Sequence, residues 1–306
     1  VRKPTAIASG LRRRAQFPLR APTTPGGVEP VERPGRTGAD YDTDWARRYP
    51  ARMARVALIE GVMRPTAAVL ASPDRRGGER LRDIVGSAIF AANHHSHLDT
   101  PLMLTSIPEP WRHKLIVGAG ADYFFANRLT GALSALAIGA IPIERKKVTR
   151  RSADQAAALI DEGWSMLIFP EGGRSPDGWG QPFRGGAAYL SLRCDVPVVP
   201  VHLRGTGRIL RKGKKLPTPS STIVTFGDPL SADPGEDSRR FAARIEDAVA
   251  ALADETTTDW WQARKRAHQR ANPSLSGPDV ANWRRAWTMG DRGLARRRDA
   301  RWPFDK

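Results

Sequence analysis

Cysteine is nearly missing from this 306-residue chain, where Cys194 stands alone. One thiol cannot close an internal disulfide, which excludes a small secreted scaffold held by cross-links and fits a reducing compartment. Long hydrophobic runs are missing too. No stretch of about 20 uncharged apolar residues occurs, so a membrane-spanning helix is not expected. The nearest candidate, residues 129–143, is short, is interrupted by Gly131 and Gly139, and reads as a buried helix followed by a strand. Residues 1–43 contain no apolar core of a signal peptide. There is no internal repeat, no phosphate-binding G-x-x-x-x-G-K loop and no G-x-S-x-G elbow. Gly118-Ala119-Gly120 begins like a dinucleotide loop, but Tyr123 stands where a third glycine is needed. Acidic residues are scarce, with 32 Asp and Glu against 49 Lys and Arg, a net charge of +17. That imbalance favours an anionic partner: nucleic acid, an anionic membrane surface, or phosphorylated or acidic protein substrates.

What is present is the composition of a globular protein, 40% apolar and 26% charged, long enough for one large domain or two small ones. Residues 1–43, rich in proline, glycine and arginine, read as a flexible basic tail. A helical pattern follows over 44–70, with breaks expected at Pro50 and Pro65. Its apolar positions, Trp45, Met53, Val56, Leu58, Ile59, Val62 and Met63, suit either packing on a core or lying on a membrane. From residue 84 short apolar runs alternate with helical stretches. Strands are expected at 84–92, 115–118, 140–143, 166–169, 196–201 and 223–226. Helices are expected at 100–106, 128–137, 150–161, 185–192 and 238–253. This alternation predicts an α/β domain over 44–255, a mixed and largely buried sheet flanked by helices. Beyond it, residues 256–306 form an Arg/Trp-rich extension carrying Trp260, Trp261, Trp283, Trp287 and Trp302, read as an appendage.

The stretch Asn93-His94-His95-Ser96-His97-Leu98-Asp99 follows a predicted strand and precedes a predicted helix, where α/β proteins place their sites. A turn between the two can fold the Asp99 carboxylate back on the His94 imidazole. Such a pair suits a general base, because the carboxylate fixes the tautomer and stabilises the imidazolium. Three close histidines also allow a metal site, although no cysteine or second histidine-rich segment supplies further ligands, and no metal is expected. Phe169-Pro170-Glu171-Gly172-Gly173-Arg174-Ser175 ends another strand and offers a guanidinium fork for a phosphate or carboxylate. Gly139-Ala140-Ile141-Pro142-Ile143-Glu144-Arg145 brings a second arginine to a strand end. Val196-Pro197-Val198-Val199-Pro200-Val201 is a proline-bounded strand.

In this order the four blocks resemble the glycerophosphate and lysophosphatidate acyltransferase family. Its N-H-x-S-x-x-D block is matched by Asn93, His94, Ser96 and Asp99, and the arginine closing its second block by Arg145. Its F-P-E-G-T-R-S block is matched at Phe169, Pro170, Glu171, Gly172, Arg174 and Ser175, and its V-P-V-x-P-V strand from Val196 to Val201. Gly173 stands where the family usually has threonine. The resemblance spans residues 84–226.

The resemblance implies the glycerolipid acyltransferase fold and direct transfer of a fatty acyl group from acyl-CoA or acyl carrier protein to a hydroxyl. The expected acceptor is 1-acylglycerol 3-phosphate, giving phosphatidic acid in phospholipid biosynthesis. Glycerol 3-phosphate and other lysolipids are alternatives. It further implies His94 and Asp99 as catalytic residues and Arg145, Glu171, Gly172, Arg174 and Ser175 as substrate-binding residues, with no metal or redox cofactor. A cytoplasmic protein lying peripherally on an anionic membrane is expected, without a nucleic-acid partner. The rival from another class, a basic nucleic-acid-binding protein, accounts for the charge and leaves the four ordered blocks unexplained.

Overall fold

Apolar runs in the middle of the chain become strands of one sheet, in a computed structural model that describes residues 37–144, 150–175, 178–210 and 216–277. Strands β1 (Pro73–Arg76), β2 (Ile89–Ala92), β3 (Leu115–Gly120), β4 (Ala140–Ile143), β5 (Ser165–Ile168), β6 (Val198–Arg204) and β7 (Thr222–Phe226) lie in the order β1-β7-β6-β2-β5-β3-β4. β6 and β7 pair antiparallel and every other pair is parallel, so the sheet is mixed, as expected.

The longer helices are α1 (Tyr49–Leu58), α2 (Arg64–Ala71), α3 (Asp99–Ser106), α4 (Arg128–Ile138), α5 (Arg150–Asp161), α6 (Gly186–Cys194), α7 (Thr206–Leu210), α8 (Ser238–Glu255) and α9 (Trp260–His268). Side chains alternate across the strands. Phe90 and Ala92 of β2 enter a core with Leu102, Trp111, Val201 and Phe226. Ile89 and Ala91 enter a second core with Ala156, Ile160, Leu190 and Phe241. Helices therefore cover both faces, which is why the central strands read as unbroken apolar runs rather than alternating ones.

Three features depart from expectation. β1 escaped notice because Pro73-Asp74-Arg75-Arg76 is polar; it is an edge strand that pairs only with β7, where charge and a leading proline are tolerated. The expected break at Pro65 does not occur. Residues Ile59–Met63 form a π-turn in which the Arg64 N–H donates to Ile59 O, so the N–H-less Pro65 falls in the first turn of α2 and the helical run continues.

Nor is the segment after 255 an appendage throughout. α9 packs on α8 through buried Ala263, while Arg266 and Asn272 both bond the buried Asp254 carboxylate. Trp260 and Trp261 stay exposed on its outer side, at 50% and 67%. Trp283, Trp287 and Trp302 lie outside the described residues, as do residues 1–36 of the expected basic tail.

α1 is tied down by Arg55, whose guanidinium donates to Ala46 O, Ala135 O and Leu136 O, each at 2.8 Å. Two of these are otherwise unsatisfied carbonyls at the end of α4, where a cation also meets the negative pole of the helix. Burial, then Arg47 and Arg52, push the Arg55 guanidinium down to about 10, so it remains charged. Ile59, Ala67 and Ala71 turn inward while Tyr49, Met53, Val62 and Val69 face out. The segment thus serves the core on one side and keeps an apolar outer side. No helix among the described residues is long and apolar enough to cross a membrane.

Candidate active site

Strand order explains how distant blocks meet. β2 lies between β5 and β6, so the turns leaving their carboxyl ends are neighbours: residues 93–98 after β2, 169–175 after β5, and Gly205-Thr206 after β6. The end of β4 lies beyond β3, yet Ile143 and Glu144 reach the same cavity. Arg145 falls outside the described residues.

The turn after β2 is built around one carboxylate. Asp99 opens α3, where a negative charge is favoured by the helix dipole, and it is wholly buried. Its Oδ2 faces His94 Nδ1 at 2.8 Å and accepts the backbone N–H of His95 at 2.6 Å and of Ser96 at 2.8 Å. Burial alone would push this carboxyl up. The His94 hydrogen bond and charge, the Ser96 N–H and the Thr206 hydroxyl outweigh it, and the Asp99 pKa lies below the ordinary value. With Asp99 ionised, the contact assigns the proton to Nδ1 and leaves His94 Nε2 as a proton acceptor. The imidazole is stacked on Phe169 with centroids 4.1 Å apart.

Other residues of the blocks hold this pair in place. Asn93, buried at the end of β2, exchanges two hydrogen bonds with the Leu203 backbone of β6, at 2.9 and 2.6 Å. Ser96 Oγ donates to Leu210 O at 2.7 Å and accepts the Leu98 N–H. Glu171 accepts the His94 N–H on Oε1 and the Gln181 N–H on Oε2, both at 2.8 Å. The Ser175 N–H donates to His94 O, and its hydroxyl accepts the Gly178 N–H.

Glu171 and Ser175, expected to touch substrate, are thus buried behind the turn and do not line the cavity. Gly172 and Arg174 do line it, with Gly173, His94, His97 and Arg184. Gly172 has φ +70°, and a Cβ there would come 3.0 Å from the Arg184 guanidinium, so both backbone and space call for glycine. Arg184 is a lining residue that lies outside the four sequence blocks.

The cavity holds about 360 Å³, within the usual range for small-ligand sites. Its mouth is polar, with His94, His97, Arg174 and Arg184; its depth is apolar, with Val117, Ile138, Ala153, Ala156, Ile168 and Leu190. His97 is held below the usual histidine value by burial and then by the Arg174 charge, so it is neutral at pH 7. Among the described residues no group of three His, Cys, Asp or Glu side chains is arranged to hold a metal. Cys194 sits apart, its thiol pushed up to about 11, by burial first.

A histidine on a buried carboxylate thus stands next to arginines and beside an apolar slot. Residues 74–204 match the Acyltransferase family. The chain is 33% identical over 158 residues to a chloroplastic 1-acyl-sn-glycerol-3-phosphate acyltransferase of Brassica napus, covering 51% of this chain and 42% of that one. It is 25% identical over 170 residues to the alpha 1-acyl-sn-glycerol-3-phosphate acyltransferase of Mus musculus, covering 54% of each. The chain spans about half the length of the curated relatives it matches. Its fold resembles that of the 1-acyl-sn-glycerophosphate acyltransferase PlsC of Thermotoga maritima, with a TM-score of 0.56 and 21% identity over 72% of this chain and 85% of that one. The chain accordingly shares the α/β architecture of that structure, with a seven-stranded mixed sheet.

Proposed function

We propose that the protein transfers a fatty acyl group from an acyl thioester, acyl-CoA or acyl carrier protein, to the free hydroxyl of 1-acylglycerol 3-phosphate, giving phosphatidic acid. The observation that carries this reading is His94, clamped by the buried Asp99 carboxylate, at the mouth of a cavity that pairs arginines with an apolar depth. His94 Nε2 takes the proton of the acceptor hydroxyl as its oxygen attacks the thioester carbonyl. Asp99 stabilises the imidazolium that forms. The tetrahedral intermediate then collapses, the C–S bond breaks, and the leaving thiolate takes the proton back from His94. No acyl-enzyme is needed, in keeping with Cys194 not lining the cavity. Arg174, with Arg145, is assigned to the acceptor phosphate, and the apolar depth to an acyl chain. The activity named for the relatives supports the same acceptor.

A peripheral position on an anionic membrane follows from a lipid-handling site, the net charge of +17 and the exposed Trp260 and Trp261. Indole rings favour the headgroup region, and each Lys or Arg near such a surface adds about 1 kcal/mol. Vesicle flotation tests this with Trp260→Ser and Trp261→Ser rather than truncation, which would strip buried Asp254 of Arg266 and Asn272.

The deciding experiment offers acyl-CoA and acyl carrier protein to a panel of acceptors: 1-acylglycerol 3-phosphate, glycerol 3-phosphate and headgroup-bearing lysolipids. Products are read by mass spectrometry, with an electrophoretic shift on DNA alongside. Phosphatidic acid forms fastest, and His94→Ala loses about 10²–10⁴-fold in rate while remaining folded. Near-wild-type turnover by folded His94→Ala overturns the mechanism. DNA binding without acyl transfer overturns the function.

A further inference from the structure

The two oxygens of Asp99 are treated very differently. Oδ2 has three donors around it, whereas Oδ1 is buried with no hydrogen-bond partner of ordinary geometry. A second such atom lies on the neighbouring strand's exit: Thr206 Oγ1, on a residue 1% exposed, also has no hydrogen-bond partner of ordinary geometry. Buried polar atoms are rarely left this way without a reason.

Thr206 is held close to the Asp99 turn by its own helix. It opens α7, directly after Gly205, whose φ of +92° and close approach to Ser221 O, 2.6 Å from a built Cβ, make the turn out of β6 a glycine turn. α7 is then fastened to the residues before Asp99. Leu210 O accepts from Ser96 Oγ at 2.7 Å, and a Cβ on Gly207 would lie 3.9 Å from His95 Cβ. Among the groups that lower the Asp99 carboxyl is the Thr206 hydroxyl.

We propose that Thr206 is a positioning residue of this site, its hydroxyl turning to donate to Asp99 Oδ1 and fixing the carboxylate that holds His94. A hydroxyl proton rotates freely, and contacts of a resting site often tighten only when substrate is bound. The demand is greatest as His94 becomes charged, because an undirected carboxylate can tilt and loosen its hold on Nδ1. The titratable and charged groups around this turn are His94, His95 and His97 beside Asp99, Glu171 and Arg174 from the turn after β5, and His202 and Arg204 from β6. Burial holds both His97 and His202 below the ordinary value, so neither carries charge at neutral pH. The inference rests on the acyltransferase reading for its role in turnover but not for its geometry.

Thr206→Val keeps the shape and removes the donor; Thr206→Ser restores it; Thr206→Cys, a weak donor, serves if the valine variant does not fold. Each is followed by kcat and KM for donor and acceptor, the pH profile of kcat/KM, and thermal melting. The expected result is a loss of about tenfold in kcat for Thr206→Val, the size of one hydrogen bond to a charged group. Both KM values stay within about twofold. The low-pH limb of kcat/KM moves upward, since a carboxylate with fewer donors gives its dyad a higher proton affinity. Thr206→Ser returns both to wild type.

Wild-type kcat with an unmoved limb in Thr206→Val overturns the inference, and so does a loss that Thr206→Ser fails to rescue. A purely structural role would lower the melting temperature and leave the limb in place. If the wild-type protein transfers no acyl group, the functional reading has failed instead. The positioning role is then read from imidazole NMR, in which the His94 resonance, assigned by its loss in His94→Gln, titrates at higher pH in Thr206→Val. An unchanged titration overturns it.

Discussion

Replacing Asp99 by asparagine isolates the charge of the dyad from its geometry. The His95 and Ser96 N–H groups both point at Oδ2, so the asparagine oxygen takes that place and its NH2 takes the place of Oδ1, towards Thr206, whose hydroxyl can accept. Both backbone donors stay satisfied, and His94 Nδ1 still finds an oxygen. What disappears is the negative charge that stabilises the imidazolium. A hydrogen bond to a charged partner is worth about 1.5–3 kcal/mol in a folded protein. At about 1.4 kcal/mol per factor of ten, its loss from the transition state lowers kcat about 10- to 150-fold. Thermal stability should stay within about 1 kcal/mol of wild type, because the buried site keeps its partners and no longer holds a charge. Asp99→Ala behaves differently: it strands His94 Nδ1 and two backbone donors at once, so it lowers kcat further and destabilises the fold by about 3 kcal/mol or more. The assay is thiol release from acyl-CoA at saturating acceptor, next to a melting curve on the same preparation. A stable Asp99→Asn protein with wild-type kcat would refute the reasoning. So would an Asp99→Ala protein as stable as Asp99→Asn.

Three other outcomes are expected. Glu171→Gln leaves one acceptor oxygen for the His94 and Gln181 N–H groups, so one is stranded; stability falls by about 1–3 kcal/mol and kcat drops more than either KM, and an acceptor KM that rises more than kcat falls refutes the supporting role. Gly173→Thr is tolerated, because a Cβ there meets nothing within 4 Å; melting is unchanged while the ranking of acceptors in the panel shifts, and an unshifted ranking removes position 173 from acceptor choice. His202 stays neutral in the fold down to about 3 but takes a proton near 6.5 when unfolded, so the unfolded state binds the extra proton between those values and stability falls as pH drops through that window. The slope is at most about 1.4 kcal/mol per pH unit, and His202→Gln flattens it in urea titrations at pH 7 and pH 5; parallel curves would show that His202 does not set it.

What could be read from the sequence follows from what each residue's neighbours are. Strands β2 to β7 announce themselves because helices cover both faces and most of their positions are apolar, whereas β1, a polar edge strand, has no pattern to display. Pro65 signals a break only if the helix around it is regular; a π-turn is set by backbone hydrogen bonding that no residue type advertises. Trp260 and Trp261 dominate the look of the C-terminal segment, yet the small Ala263 and the ion pair to Asp254 are what dock it.

The candidate site divides along the same line. Residues proposed to act through their own chemistry, His94, Asp99 and Arg174, are legible because a base, its carboxylate and a guanidinium fork are rare enough in combination to mean something at strand ends. Residues that act by holding others are not. Glu171 sits in the same short block as Arg174, and nothing in that block says that one faces the cavity and the other turns its carboxylate inward to the His94 backbone. Thr206 is a single threonine in a glycine turn, far from Asp99 in sequence and adjacent only because β6 lies beside β2. The sheet order therefore does chemical work of its own. By setting β2 between β5 and β6, it gives one carboxylate-bound histidine a support from each neighbouring strand, Glu171 on one side and the α7 turn on the other. Moving either neighbour one place along the sheet, about 4.8 Å, would take its support out of hydrogen-bonding reach.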